Sequence, residues 1–422
     1  MIHLAKKVLQ RVYKKISLVK NIKKKHLSPI GVTQPLVVIL SKDRKRLFMI
    51  MNNKISKTMK KIALTIIMAV IVAFGASAQN EKLAQYSFFY PVGTSGIQSI
   101  NNSYKLSLNT LWGVNGGVNG FELGSIANIN RGDVTGGQVS GVVNFTTQNS
   151  NGAIVGGVLN CSLGSLDGAA FAGVVNFAGD SSTGGHIAGV GNFVFGKMEG
   201  TMISGVINAA DDLKGGQIST INLSAGKAKG AQIGVINVAN NLKGLQLGVI
   251  NVSNDGDSLL PVGVINVVRN GYYALELTTS EILSADLTFK MGVEKFHSMF
   301  RIGAGRFNNK NYFSTGYGIG SIIHVTSKQA FNVEAICDQI VYDNNWDNNL
   351  NLLTHLNLNY QYNITDFLAV KAGPSVKTYI TNQKVEGLFN TIDVPYTIVE
   401  HTGDNVKTSL WIGINAGITL SL

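Results

Sequence analysis

The amino-acid sequence predicts an all-β protein, a β-solenoid of about ten 14–16-residue coils followed by an antiparallel β-barrel of 8–10 strands. Two observations carry this prediction. First, ten asparagines recur at near-fixed spacing: Asn128, Asn144, Asn160, Asn176, Asn192, Asn208, Asn222, Asn237, Asn251 and Asn266. Their gaps are 16 residues five times, then 14, 15, 14 and 15. Second, the style changes after Gly271, where strand-length segments rich in aromatics replace the repeats.

The repeats justify the solenoid. Each asparagine closes a short phrase, such as Gln232-Ile-Gly-Val-Ile-Asn237 and Gln246-Leu-Gly-Val-Ile-Asn251. Self-similarity at a short fixed period marks a stacked array. Runs of about six residues rich in β-branched Val and Ile suit a strand and are too short for a helix. Turn-forming stretches such as Ala239-Asn-Asn-Leu-Lys-Gly244 separate the phrases. About ten coils at ~4.8 Å per strand give a stack on the order of 50 Å long.

The coil length changes by a residue or two while Val-Ile-Asn persists. One extra residue in a flat strand would flip every later side chain. The change is therefore expected at a corner or bulge, with the Gly before Val-Ile-Asn the natural place. The asparagines read as scaffold. Stacked identical amides can hydrogen-bond along a ladder, and Asn tolerates left-handed corners.

The barrel is justified by eight segments of about 9–13 residues, starting near Tyr272, Ala285, His297, Thr315, Ala330, Leu350, Asp366 and Lys407. Strands near ten residues with aromatics toward their ends fit an outer-membrane barrel, and a soluble antiparallel barrel or sandwich is the alternative. Residues 381–405 read as an extended loop or a further hairpin. Tyr86-Ser-Phe-Phe-Tyr-Pro91 and Tyr104-Lys-Leu-Ser-Leu-Asn-Thr-Leu-Trp112 resemble these C-terminal strands, so residues 79–112 are expected to join the barrel, with the solenoid at 113–271 inserted before 272–422.

The formal charge of +12 is an average over two unlike parts. Residues 1–78 hold 17 Lys+Arg and one acidic residue, leaving 36 − 17 = 19 basic and 24 − 1 = 23 acidic residues, or −4, in the remainder. The basic part contains a signal-peptide pattern at 59–78. Met59-Lys60-Lys61 is followed by an uncharged run from Ile62 to Gly75 and the cleavage motif Ala76-Ser77-Ala78. The run is shorter than the ~20 residues needed to span a bilayer as a helix. Residues 1–58 read as an upstream extension from a start codon assigned too early, and a basic nucleic-acid-binding tail is the alternative. Nucleic acid is not an expected partner of the mature chain.

No catalytic constellation stands out, and no catalytic residue, cofactor or metal ligand is expected. Cys161 and Cys337 read as buried free thiols. His186 occupies the slot of Gln in sister coils and reads as an exposed coil residue. Asp211-Asp212 and Asp255-Gly-Asp257 lack the regular oxygen spacing of calcium sites and read as turns. Gly316-Tyr-Gly-Ile-Gly320 and Gly189-Val-Gly191 lack the βαβ context that would make them nucleotide loops.

The tandem Gly-x-Gln-Ile/Leu-Gly-Val-Ile-Asn-Val units, with Phe121-Glu-Leu-Gly before them, resemble the leptospiral and Bacteroides-type surface-repeat proteins over roughly residues 84–310. Ser219-Thr220-Ile221-Asn222 and Leu259-Leu-Pro261 depart from the unit. The resemblance implies an envelope or surface protein and transfers no catalytic residues. The expectation is thus a non-enzymatic outer-membrane protein, structural or adhesive, with membrane lipid and a host or envelope surface ligand as partners. The alternatives are a transport barrel with the solenoid as plug or vestibule, and a glycan-binding or glycan-cleaving β-helix.

Overall fold

The computed structural model describes residues 80–307, 310–342, 349–385, 388–389, 392, 394 and 396–422. The upstream extension and signal peptide read at 1–58 and 59–78 lie outside them.

From Asn80 to Val268 the chain winds about ten turns of parallel β-solenoid. Each residue pairs with its counterpart one coil later: Asn128 with Asn144, Asn176 with Asn192, Asn237 with Asn251. Two columns of glycine permit this close stacking. At one corner Gly152 has φ 129°, and a Cβ there would lie 1.9 Å from the Gly136 carbonyl oxygen. At the other, a Cβ on Gly157 would lie 1.8 Å from the Gly141 oxygen. Only glycine fits such an approach. Inside run apolar side chains, among them Ile154, Leu166, Met198, Met202 and Leu242.

Of the segment 79–112 expected in the barrel, the described residues, 80–112, do not join it. Asn80–Phe89 pairs in parallel with Asn102–Asn115, which pairs in parallel with Gly117–Gly124, so both belong to the first coils. The reason is their inward face. Gln85, Ser107 and Asn109 are buried and stack under Glu122 and Gln138. The aromatic and aliphatic residues that resemble barrel strands, Tyr86 and Leu108, point outward.

Coil length changes at two places. Ile203 pairs with Ile218 and Ile207 with Ile221, so one residue drops out at the corner that holds Gly205. Further register shifts fall at the turn after the asparagine, between Val194 and Lys197, Ala210 and Leu213, and Ser224 and Lys227. Ser258 is the one non-glycine residue with positive φ among the described residues, so no ladder asparagine adopts the left-handed geometry. Glycine takes the corners instead.

Residues 272–421 form a closed eight-stranded antiparallel barrel. Its strands are β1 (Tyr272–Ser280), β2 (Ala285–Val293), β3 (Phe296–Phe307), β4 (Lys310–His324), β5 (Gln329–Tyr342), β6 (Asn351–Asn363), β7 (Leu368–Thr381) and β8 (Lys407–Ser421). Pairing of β1 with β8, from Ala274–Ser421 to Ser280–Asn415, closes it. Between β7 and β8 lie a short hairpin of Lys384–Val385 with Leu388–Phe389 and a strand Val399–Thr402 that pairs with β8.

The connections differ at the two ends. At one end β2–β3, β4–β5 and β6–β7 join through turns of two to four residues. The last solenoid strand, Ile265–Val268, enters here, and the Leu422 N–H donates to the Tyr273 carbonyl at 2.8 Å at this same end. At the other end two links are equally short, 281–284 and 308–309, and two are longer, 343–350 and 382–406.

Candidate functional site

The ten asparagines form a single buried column. Asn128 Nδ2 donates to Asn144 Oδ1 at 2.9 Å, and the bond repeats rung by rung to Asn251, whose Nδ2 donates to Asn266 Oδ1 at 2.9 Å. From Asn144 to Asn237 each also donates to a carbonyl one coil on, as Asn144 does to Val155 at 2.8 Å. All ten are 0–1% exposed, so no ligand reaches them from outside. Below, Asn109 Nδ2 donates to Asn128 Oδ1 at 2.9 Å. Above, Asn266 Nδ2 donates to Ser298 Oγ of β3 at 2.9 Å. The column therefore ends on the barrel wall. Ser298 Oγ in turn donates to the Gly263 carbonyl at 2.8 Å, and Tyr273 Oη accepts from the Val268 N–H at 2.9 Å.

A second inward column holds Gln217, Gln232 and Gln246, in which Gln232 Nε2 donates to Gln217 Oε1 at 2.8 Å and Gln246 Nε2 to Gln232 Oε1 at 2.9 Å. His186 sits in this column and is 1% exposed, which corrects its reading as an exposed residue. An inward slot stays inward in every coil because the strand period is two. Burial lowers its pKa, opposed by a hydrogen bond between Nε2 and the Leu166 carbonyl at 2.9 Å. At the first coils the same column holds Glu122, fully buried. Ser107, Asn109, Asn115, Asn130 and Gln138 all donate to its carboxylate, at 2.6–3.3 Å. Burial raises its pKa, and these donors pull it back only in part.

The barrel is filled differently. Lys290 and Lys371 each bridge Glu276 and Glu334, with N–O distances of 2.6–2.9 Å. All four side chains are at most 1% exposed. Nearer the long loops, Arg301 pairs with Asp286 at 2.7 Å and His355 with Asp338 at 3.2 Å. Beyond these, the β1–β2 link turns into the lumen. Leu283 is fully buried, Glu281 accepts from Trp411 Nε1 and Lys377 Nζ at 2.8 Å, and Tyr312 donates to the Ile282 carbonyl. Between the ion pairs remains a void of about 10 Å³, lined by Asp286, Arg301, His355 and Lys371 among others. That is room for a single water.

Three further expectations find their places. Gly316, Gly318 and Gly320 face the lumen and make room for large neighbours. A Cβ would meet Asp338 Oδ1 at 1.7 Å at Gly316 and His297 Nε2 at 2.5 Å at Gly320. Asp212 and Asp255 accept turn hydrogen bonds, from Lys227 N–H at 2.6 Å and Asp257 N–H at 3.0 Å. Cys161 is buried, and burial pushes its thiol up to about 12. Cys337 is exposed, which corrects its reading as buried: it lies on an outward position of β5, between lumenal Ile336 and Asp338.

A cleft of about 340 Å³ opens where the solenoid meets the barrel, lined by Asp257, Tyr272, Glu294, Asp366 and Leu422 among others. No group of three or more His, Cys, Asp or Glu is arranged to hold a metal ion among the described residues. No protein-family model, curated protein or solved structure matches the chain.

The lumenal charges are the polar side chains that sequence reasoning missed. Their signal was present as alternation: Asp286-Leu-Thr-Phe-Lys290 and Asn332-Val-Glu-Ala-Ile-Cys-Asp338 carry polar residues at every even position except Ile336 and apolar ones at the odd positions.

Proposed function

We propose that this chain is a non-enzymatic outer-membrane protein, in which the barrel is an anchor and the solenoid a rigid scaffold held on its mouth. The inverted polarity of the barrel wall carries this reading. Charged and amide side chains fill the lumen, while Leu277, Ile302, Leu356, Leu358 and Ile414 stand 50–66% exposed on the outside. A soluble barrel would bury the opposite set, whereas outer-membrane barrels alternate apolar-out and polar-in. The closed strand ladder suits lipid, which cannot satisfy an open edge.

The filled lumen argues for an anchor over a conducting pore. Every turn at the solenoid's end of the barrel is four residues or shorter, the two long links join strands at the other end, and outer-membrane barrels keep short turns on the periplasmic side and longer loops outside. We therefore read the solenoid as a periplasmic scaffold rather than an external adhesin. The resemblance to surface-repeat proteins agrees with the envelope assignment and rests on the quoted units alone.

Protease treatment of intact cells tests the orientation. The repeats should be protected, and should become accessible once the outer membrane is opened; cleavage in intact cells would overturn the periplasmic reading. A substitution tests the anchor. Leu358→Arg, near the middle of β6, should cost about 2–4 kcal/mol in a bilayer. Equal unfolding midpoints for wild type and Leu358→Arg in liposomes would remove the membrane assignment.

A further inference from the structure

The solenoid carries an apolar flank that nothing in the chain covers among the described residues. One row runs outward along the strands from Tyr86 to Val262, in unbroken parallel register through Phe171, Ile187, Ile203 and Ile233. A second row runs beside it across the glycine corner and includes Val158, Val190, Val206, Val235 and Val249. Most members of both rows are 37–47% exposed, and Val139, Val142, Val174 and Val262 are half-buried.

Geometry limits what can cover this flank. The first row holds twelve paired positions from Tyr86 to Val262. At ~4.8 Å per coil it is roughly 55 Å long. Two rows wide, at about 10 Å, it offers roughly 550 Å² of apolar surface. Two such flanks would bury about 1,100 Å², close to the lower bound for a specific complex. A patch of this size is at the upper end of what monomers leave exposed.

We propose that the flank is a homodimer interface, with a second copy of this chain packed side by side and parallel. A two-fold axis along the solenoid sets each strand-row residue against the corner row of the same coil in the partner, Ile187 against the second copy's Val190. Larger residues then meet smaller Val at Phe171, Ile187, Ile203, Ile233 and Leu247, and the identical rung spacing keeps both rows in step. The parallel arrangement rests on the outer-membrane reading, since two barrels in one membrane hold their solenoids in the same direction. A homodimer patch that is the same on both copies is what two-fold symmetry requires.

The test uses the full mature chain in detergent. Light scattering should give a dimer. The Ile187→Lys/Ile203→Lys double variant should weaken the dimer by at least about tenfold in Kd, with an unchanged circular dichroism spectrum. Both side chains point outward, so the fold does not depend on them. Lys229→Glu, on another face, should leave dimerisation unchanged. In a Cys337→Ser background, Leu247→Cys alone should cross-link to itself with a short bismaleimide, and so should Leu123→Cys. Cross-linking only when the two variants are mixed would mean an antiparallel pair and overturn the parallel arrangement. A wild-type monomer, or a double variant as dimeric as wild type, would overturn the interface itself. A protein that dimerises through the flank yet fails to insert into liposomes would keep the interface and refute the membrane anchor.

Discussion

The solenoid and the barrel are both tubes of β-strand with polar interiors, yet they satisfy those interiors by opposite means. In the solenoid each inward residue meets its own counterpart one coil away, as Asn176 meets Asn192. A charged residue repeated there would face its own sign at ~4.8 Å, a destabilising arrangement. An amide both donates and accepts, so it is the polar side chain that can pair with itself indefinitely. In the barrel, antiparallel neighbours are different residues. Lys290 can therefore meet Glu276 and Glu334, and opposite charges fill the lumen. The kind of symmetry, translation along a stack or closure of unlike strands, decides which polar chemistry an interior can use.

This contrast can be broken at either end. The largest effect is expected in the barrel. Glu334→Ala leaves Lys290 and Lys371 sharing one carboxylate in a dry lumen, and breaking a buried pair by removing one partner costs about 3–5 kcal/mol. Urea unfolding in detergent should show that loss. A cost below about 1 kcal/mol would mean the lumen is hydrated and the ion pairs exchange with water. Asn192→Ala interrupts the ladder in mid-column. It removes the side-chain acceptor of Asn176 Nδ2, and leaves the His186 and Ile203 carbonyls without the Asn192 donor. The expected cost is about 1–3 kcal/mol, read from the solenoid's unfolding transition. Asn192→Ser should restore little, because the shorter side chain spans less of the rung.

The smallest effect is electrostatic and singles out one coil. His186 has a lowered pKa because it is buried. Its folded pKa lies below the unfolded value of about 6.5, so the unfolded chain binds the proton first on acidification. The stability it confers is present above about pH 6.5 and is lost as pH falls through the lowered folded value, by at most about 1.4 kcal/mol per pH unit. His186→Met places in this coil the residue its neighbour carries at Met202. The variant should unfold with a flatter dependence below pH 6.5. Identical pH profiles would show that His186 binds its proton equally in the folded and unfolded chain, and would overturn the burial effect.

Much of this was legible in the chain. The period of the ten asparagines specifies stacked coils, and the eight C-terminal segments match strands β1 to β8, with starts displaced by up to five residues, as Thr315 is from Lys310. Three features were hidden. The strands around Tyr86 and Tyr104 look like barrel strands because their outward faces are apolar in both settings. Which sheet they join depends on Gln85 finding Ser107 and Asn115 and on Ser107 finding Glu122, contacts 15–30 residues apart in sequence. His186 looked exposed because one polar residue among variable ones carries no sign of its face. The lumenal ion pairs join strands as distant as Glu276 and Lys371, beyond the reach of any local pattern.

The sequence by itself determined the periodic elements: a coil that repeats, corners that glycine turns in nearly every coil, and amides that can stack on their own kind. These follow from spacing and steric fit within one or two coils. The tertiary structure decided where the repeat ends and what the barrel encloses. Asn266 finds Ser298 rather than an eleventh asparagine, and Glu334 finds two lysines on two other strands. Those partners are selected by barrel closure and burial, which depend on long-range pairing of unlike strands and not on any local repeat.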